Sequence, residues 1–462
     1  MVSIAMTGES QPADGPREPA TNPAPASAVW WVRRDPRLAD NPALVAAQAS
    51  GAVAAVFAWV PELHFWSGRR VAHLARVLWS LNTDMGGRLG IRKATAADAV
   101  LAVAREHGAS TVWAAQEFSP SGVAQQDQVR SALEADGREL KLAGSPYAVT
   151  PGSVTKADGS EYKVFTPFRR AWRDVGWPTP TPPADANGFV AVGTDTSLDL
   201  YAAHGDTTDP VTPRHEFREK RVLEDVSEFM DSRLADYDST RDIPAADGTS
   251  RLSVPLAFGQ IHPRTVLART ASHDGESART FESEIAWREF HADVLWHYPQ
   301  ARRTSLKPVL ADDQWNTGRQ ADAAFLAWRE GRTGFPLVDA GMRELKSTGT
   351  MHNRVRMVVA SFLVKDLHLP WQRGADYFRS ALLDYDHAQN QLNWQWVAGT
   401  GRDASPFFRV FNPTTQLHKF DPDLEYVRTW LRDLDTPGYP EPMLDHAAER
   451  VATLDSLRHT RR

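Results

Sequence analysis

The chain contains no cysteine. That single absence removes disulfides, thiolate zinc sites, iron–sulfur clusters and cysteine nucleophiles together. It also leaves no sign of an oxidising compartment, so a cytoplasmic location is expected. Long apolar runs are missing as well. Stretches such as VAAVFAWV and MVVASFLV fall far short of the roughly 18 residues that a membrane span requires, and the N-terminus has no apolar signal core. No G-x-x-x-x-G-K-[ST] loop occurs, which argues against a P-loop ATPase. The 15 histidines offer no HExxH, no paired ligand spacing and no partners for a hydrolytic triad, so neither a bound metal nor triad chemistry is expected. A basic excess is absent too: 52 basic against 58 acidic residues give a net charge of -6. This argues mildly against a general nucleic-acid coating protein and leaves room for a local basic cleft.

What is present is an ordinary globular composition, 42% hydrophobic and 24% charged over 462 residues, enough for two or three domains. Residues 1–26, rich in Pro, Ala, Ser and Gly without apolar periodicity, read as a flexible extension. In residues 27–150, short apolar runs (AVWWV, VAAVFAWV, STVWAA) alternate with helical stretches such as RRVAHLARVLWSL, which predicts an α/β domain with a parallel, Rossmann-like sheet. Residues 151–214 are polar and Pro-rich, including TPTPPADANG, and read as an interdomain connection. Residues 215–462 are patterned as an all-α domain. No repeat of solenoid length is found.

The chemistry concentrates in DYDHAQNQLNWQW, Asp384 to Trp396. As a helix it places Asp386, Asn390 and Trp394 at i, i+4 and i+8, a column of carboxylate, amide and indole suited to a large polar heterocycle. Trp396 lies roughly 200° around from Trp394 and faces another surface. The alternative is a buried helix with core tryptophans and capping acids. In MHNRVRM, Asn353, Arg356 and Met357 share a face, and Arg356 could pair with Asp384 or Asp386, beside a ligand or as a plain buried ion pair. In EIAWREF, Glu284, Trp287 and Arg288 share a face, either an acceptor beside an aromatic wall or an amphipathic surface. GTSRLS, Gly248 to Ser253, reads as a helix start whose amides could receive phosphate or simply be capped.

These pieces, in this order, resemble the DNA photolyase and cryptochrome family from about Val29 to Leu434. The motifs are VWWVRRDPRLADNPAL, YKVFTPFRRAW, GTSRLS, WREF, AWREGRTGFPLVDAGMRELKSTGTMHNRVRM, NQLNWQWVAGTG and FNPTTQLHKFDP. The resemblance is greatest to class I cyclobutane pyrimidine dimer photolyases. It implies an α/β antenna domain and an all-α domain that binds FAD. Tyr237, Thr249, Ser250, Arg251, Leu252 and Ser253 would hold the pyrophosphate region. Asn353, Arg356, Asp384 and Asp386 would surround the isoalloxazine and ribose, with Asn390 against the flavin nitrogen that is protonated on reduction.

The resemblance further implies that Glu284 hydrogen-bonds a pyrimidine dimer flipped out of UV-damaged DNA, walled by Trp287 and Trp396, with Met357 and Arg354 lining the same space. Asn353 and Met357 stand where six-four repair enzymes carry histidines, which favours the cyclobutane lesion. Arg241, Arg288, Arg302, Arg303, Lys307 and Arg354 are candidates for gripping DNA phosphates. Trp394 and Trp371 match a photoreduction relay of tryptophans. A gapless register places Gly318 at the outermost position, with Trp315 the nearby candidate. Thr350 replaces a tryptophan usual before MHNR, and Gln391-Leu392-Asn393 replaces Asn-Gly-Gly. An antenna chromophore, whether a folate, a deazaflavin or a second flavin, is left open because EFSPSGVAQQD departs from the family's pattern. The expected activity is light-driven dimer splitting by a monomer, a deoxyribodipyrimidine photo-lyase. The alternative is a cryptochrome-like blue-light photosensor, whose mark would be a long extra C-terminal tail.

Overall fold

The computed structural model describes residues 24–195, 217–308, 314–404 and 409–460. Most of the expected N-terminal extension lies outside the described residues. Its last residues are anchored: the Ala26 amide donates to the His107 carbonyl at 3.0 Å, and Ala26 is buried.

Five parallel strands form the first sheet, β1 (Ala28–Val32), β2 (Val53–Ala58), β3 (Leu89–Arg92), β4 (Thr111–Ala114) and β5 (Glu139–Leu142), in the order β3-β2-β1-β4-β5. The apolar character of β1 and β2 is continuous because both faces are covered. Alternate side chains feed two cores: Ala28, Trp30 and Val32 pack under α1 (Pro42–Gln48) and α2 (Gly68–Asp84), while Val29 and Trp31 pack under α3 (Ala96–Glu106) and α4 (Pro120–Ala135). Asn41, Ser67, Thr95 and Ser119 cap these four helices with side-chain oxygens, satisfying first-turn amides. The strand order reverses between β1 and β4, and the crevice beyond the carboxyl ends of such strands is where doubly wound sheets present side chains to a ligand or partner. Here it presents Arg33, Arg34 and Glu117.

The connecting region is more structured than its composition suggests. It contains α5 (Phe165–Val175), whose Phe165, Phe168 and Trp172 are buried in the core of the helical part. The rest of the described chain is helical: α6 (Glu219–Ser232), α7 (Tyr237–Thr240), α8 (Ser253–Phe258), α9 (Pro263–Thr270), α10 (Glu276–His297), α11 (Gly318–Glu330), α12 (Pro336–Thr348), α13 (Asn353–Ser361), α14 (Trp371–Ala381), α15 (His387–Ala398), α16 (Pro413–Phe420), α17 (Glu425–Trp430) and α18 (His446–Thr460).

Two cores organise these helices, one around α5, α6 and α10 and one around α11 to α14. α15 bridges them. Ala388 and Leu392 belong to the first, Trp394, Val397 and Ala398 to the second, so this helix is buried nearly all round and has no solvent face to show a simple stripe. It starts at His387, later than its sequence suggests, because the Asp386 carboxylate accepts the Gln389 amide at 3.1 Å and acts as N-cap.

Candidate active site

A cavity of about 360 Å³ opens between α10, α13, α14 and α15. Glu284, Trp287, Arg288 and His291 enter it from α10 at i, i+3, i+4 and i+7, one helical face. Asn353, Arg354, Arg356 and Met357 come from α13. Asp384, Tyr385 and Asp386 arrive from the turn before α15, and Gln389, Asn390, Asn393, Trp394 and Trp396 from α15 itself. Trp394 and Trp396, although far apart around their helix, both border this space.

The charges are ordered. Arg356 donates from Nη2 to Asp384 Oδ2 at 2.8 Å and from Nε to the Met351 carbonyl at 2.8 Å, so of the two expected partners it takes Asp384. Asp384 Oδ1 is buried and unpartnered, as are Arg288 Nη2 and Arg354 Nε. Buried polar atoms left this way cost about 1–3 kcal/mol each, and a polar ligand in the cavity would relieve them. Asp386 pairs with Arg34 from the loop after β1 at 2.7 Å. Burial opposes its charge, yet Arg34, Arg288 and the Gln389 amide pull its carboxyl down to about 2. His291 shares 2.9 Å with Gln389 Oε1, and burial pushes its pKa down to about 4, keeping it neutral.

Asn390 has a fixed orientation. Its Nδ2 donates to the Ala375 carbonyl at 3.0 Å and to Gln391 Oε1 at 2.8 Å. The Ala375 carbonyl can only accept, which identifies the nitrogen and leaves Oδ1 to the cavity.

The rim residues are already paired. Arg241 donates to Glu284 at 2.7 Å and Arg354 to Asp242 at 2.5 Å. Arg302, Arg303 and Lys307 are exposed on the turn after α10, outside the cavity. Arg288 departs from its expected place on a DNA-facing rim: it is buried, donates to the Pro146 carbonyl at 2.9 Å and lies 4.7 Å over the Tyr147 ring.

The GTSRLS segment is not among the residues lining the cavity. α8 does begin at Ser253, but Leu252 is buried, Thr249 gives its carbonyl to Arg233, Ser250 Oγ accepts the Leu252 amide, and Arg251 pairs with Asp247 at 3.0 Å. Tyr237 is buried against Phe229 and Phe281.

Trp394 packs tightly on α14. A Cβ on Gly374 would meet its ring at 2.1 Å, so only glycine permits this approach. Trp371, three residues earlier on α14, is buried and donates from Nε1 to Ser305 Oγ at 2.9 Å. Trp315 is half-buried against the same core as Trp371, and its neighbour Asn316 donates to the Leu367 and His368 carbonyls just before α14. Gly318, first residue of α11, has open space where a side chain would stand. Trp315, and not position 318, packs against the core that contains Trp371.

Sequence alone does not single out Arg34, Asp242, His291 or Gln389. Arg34 lies within RRDPRL, but its partner is 352 positions away. The EFSPSGVAQQD stretch is knitted to the neighbouring Arg33, which donates to the Ala115 and Gly122 carbonyls and to Gln126.

Comparison with known proteins now bears on the cavity. Residues 28–185 match the family model for DNA photolyase, and residues 281–437 that for the FAD binding domain of DNA photolyase. The chain belongs to the DNA photolyase family. The photolyase fold extends over nearly the whole chain. The deoxyribodipyrimidine photo-lyase of Escherichia coli is 34% identical, the alignment covering 94% of this chain and 98% of that protein. The crystal structure of a class III photolyase from Agrobacterium tumefaciens superposes with a TM-score of 0.85 at 32% identity, over 96% of this chain and 100% of that one. A cryptochrome from Synechocystis follows at 0.79 and 25%, over 94% and 99%. As a photolyase-family enzyme the chain carries an FAD-binding domain, and the donors and acceptors of the cavity fit such a group: an unpartnered carboxylate oxygen, a free amide oxygen, guanidinium nitrogens and apolar walls. Among the described residues no helix is long and apolar enough to cross a membrane.

Proposed function

We propose that this enzyme splits cyclobutane pyrimidine dimers in UV-damaged DNA under light. One observation carries the reading: Glu284, Trp287, Met357 and Trp396 share a single cavity with Asn353, Arg356, Asp384, Asp386 and Asn390. Bound there and reduced, FAD excited by light supplies the electron that opens the dimer and takes it back afterwards.

The protein's own residues bind and orient. Arg356 and Asp384 would offer a fixed donor and acceptor to a bound flavin, and Asn390 Oδ1 would offer an acceptor that favours a protonated ring nitrogen. A dimer flipped from the stack pays for unpairing least when it is already distorted. It would enter between Trp287 and Trp396, and Glu284 would exchange its contact with Arg241 for the dimer's base edge. Arg241, released, would then meet a phosphate beside Arg354, while Arg302, Arg303 and Lys307 extend the grip along the backbone. Asn353 and Met357 provide no titrating proton donor, which suits ring splitting and not the proton chemistry of six-four repair.

The test is repair of an oligonucleotide carrying one cyclobutane thymine dimer by the reduced, FAD-loaded protein in blue light and in the dark. Splitting in light only, reduced at least tenfold in Glu284→Ala, is expected. Bound FAD without repair of this lesion or of a six-four photoproduct would refute the proposal and favour a photosensor.

A further inference from the structure

Gln391 stands where the resemblance expects a shorter asparagine. It is buried, with 7% of its surface exposed, and does not line the cavity. Both ends of its amide are used: Oε1 accepts from Asn390 Nδ2 at 2.8 Å, and Nε2 donates to the Arg302 carbonyl at 2.5 Å. One turn along α15, Gln395 repeats the pattern, donating to the Ala301 carbonyl at 2.7 Å and the Thr304 carbonyl at 3.2 Å and accepting the Leu306 amide at 3.0 Å. Gln372 of α14 donates to the Arg303 carbonyl at 3.2 Å. The exposed turn that carries Arg302 and Arg303 is thus held from below by glutamines through its backbone.

We propose that Gln391 is a positioning residue, which locks the Asn390 amide with Oδ1 towards the flavin and ties that orientation to the Arg302–Arg303 turn. The proposal rests on the reading of the cavity as the flavin site. A primary amide rotates about its last side-chain bond in a broad well, so an isolated asparagine could present nitrogen or oxygen to a ligand. Here two acceptors hold the nitrogen, one for each of its hydrogens. Without Gln391, only the Ala375 carbonyl remains to fix it. An amide turned by half a circle would point hydrogen at a ring nitrogen that itself carries hydrogen once reduced, exchanging an attraction for a repulsion. Gln391 can span from Asn390 to the Arg302 carbonyl because its side chain is one methylene longer than asparagine.

The experiment measures the reduction equilibrium of FAD in the loaded protein by spectroscopic titration against a reference dye, for wild type, Asn390→Ala, Gln391→Ala and Gln391→Met. Loss of one oriented hydrogen bond should move the equilibrium about five- to tenfold towards oxidised flavin, the ratio that corresponds to about 1 kcal/mol. Asn390→Ala and Gln391→Ala should both shift by this amount. Gln391→Met fills a similar volume but offers no acceptor to Asn390 Nδ2, so it should shift as Gln391→Ala does, which separates the lost hydrogen bond from lost packing. A merely structural role would lower the melting temperature of both Gln391 variants and leave the equilibrium unmoved. If Asn390→Ala shifts and Gln391→Ala does not, the positioning role is overturned while the flavin site stands. If neither Asn390→Ala nor Gln391→Ala shifts, the flavin-facing reading of Asn390 falls with it.

Discussion

The pair between Arg34 and Asp386 joins the α/β sheet to the start of the helix that lines the cavity, and its strength can be worked from the structure. The Asp386 carboxyl sits at about 2 against an ordinary 3.8, a difference that amounts to about 2.5 kcal/mol at ~1.4 kcal/mol per pH unit. Burial pushes the other way, and Arg34 is the first of the groups that overcome it. Its guanidinium is correspondingly raised, since burial is outweighed by Asp386 and Glu117. Removing one partner of a buried pair typically costs about 3–5 kcal/mol. Because the Arg34 side chain keeps 27% of its exposure and Arg288 remains nearby, Arg34→Met should fall below that range, at about 2–3 kcal/mol.

Asp386→Asn keeps a cap for the Gln389 amide, because asparagine caps as well as aspartate, and it strands Arg34 instead. The double variant leaves neither member of the pair facing the gap of the other. Urea unfolding of all four proteins at saturating FAD, with each measured FAD affinity subtracted as RT ln(1 + [L]/Kd), should show the double variant recovering at least about 1.5 kcal/mol over the sum of the singles. The acid limb gives a second reading. A depressed carboxyl contributes stability that is present above 3.8 and lost as pH falls towards 2; Arg34→Met no longer holds the carboxyl below 3.8, so its deficit against wild type should shrink across this window. Additive single costs, with an unchanged acid limb, would show that the pair does not couple the two parts of the chain.

Gly374→Ala places a methyl at 2.1 Å from the Trp394 ring. The helix-propensity gain of about 1 kcal/mol should be outweighed by overpacking of about 1–3 kcal/mol, with flavin photoreduction slowed several-fold. Photoreduction at the wild-type rate in a fully stable variant would exclude Trp394 from the relay. His291 should make the protein acid-sensitive. Its pKa is about 4 when folded against 6.5 unfolded, so the unfolded chain binds the proton first, and stability present above pH 6.5 is lost as pH falls towards 4. At pH 5 the loss is about 2 kcal/mol. His291→Gln should flatten the change in unfolding free energy between pH 7 and 5 by that amount, and an unaltered slope would contradict it.

How much of this was legible in the sequence follows from how far apart the interacting groups lie. The strands were legible because a sheet covered on both faces needs continuous apolar runs, and AVWWV and VAAVFA are such runs. The cavity's own residues were legible because α10, α13 and α15 each contribute several side chains at helical spacing, so local periodicity groups them. α5 carried the same kind of signal, with Phe165, Phe168 and Trp172 at i, i+3 and i+7, but Pro-rich and polar flanks masked it.

What local spacing could not supply was the partner of each charge. Arg34 and Asp386 are 352 positions apart and Arg354 and Asp242 are 112 apart, and nothing within a turn of either member indicates the other. The same limit explains Arg288. Its helical face follows from local spacing, but whether that face meets solvent or the Pro146 carbonyl depends on a segment more than a hundred residues away. The setting of Trp315 was illegible for a different reason. A gapless register assumes that α11 begins at a fixed distance after Trp315, whereas the glycine at 318 with φ of +78° starts the helix there. The indole is left in the preceding turn, where the Asn316 hydrogen bonds hold it beside the residues leading into α14. A relay requires proximity in space, so a candidate for its outermost member is judged by where that turn holds the Trp315 indole and not by alignment to a position.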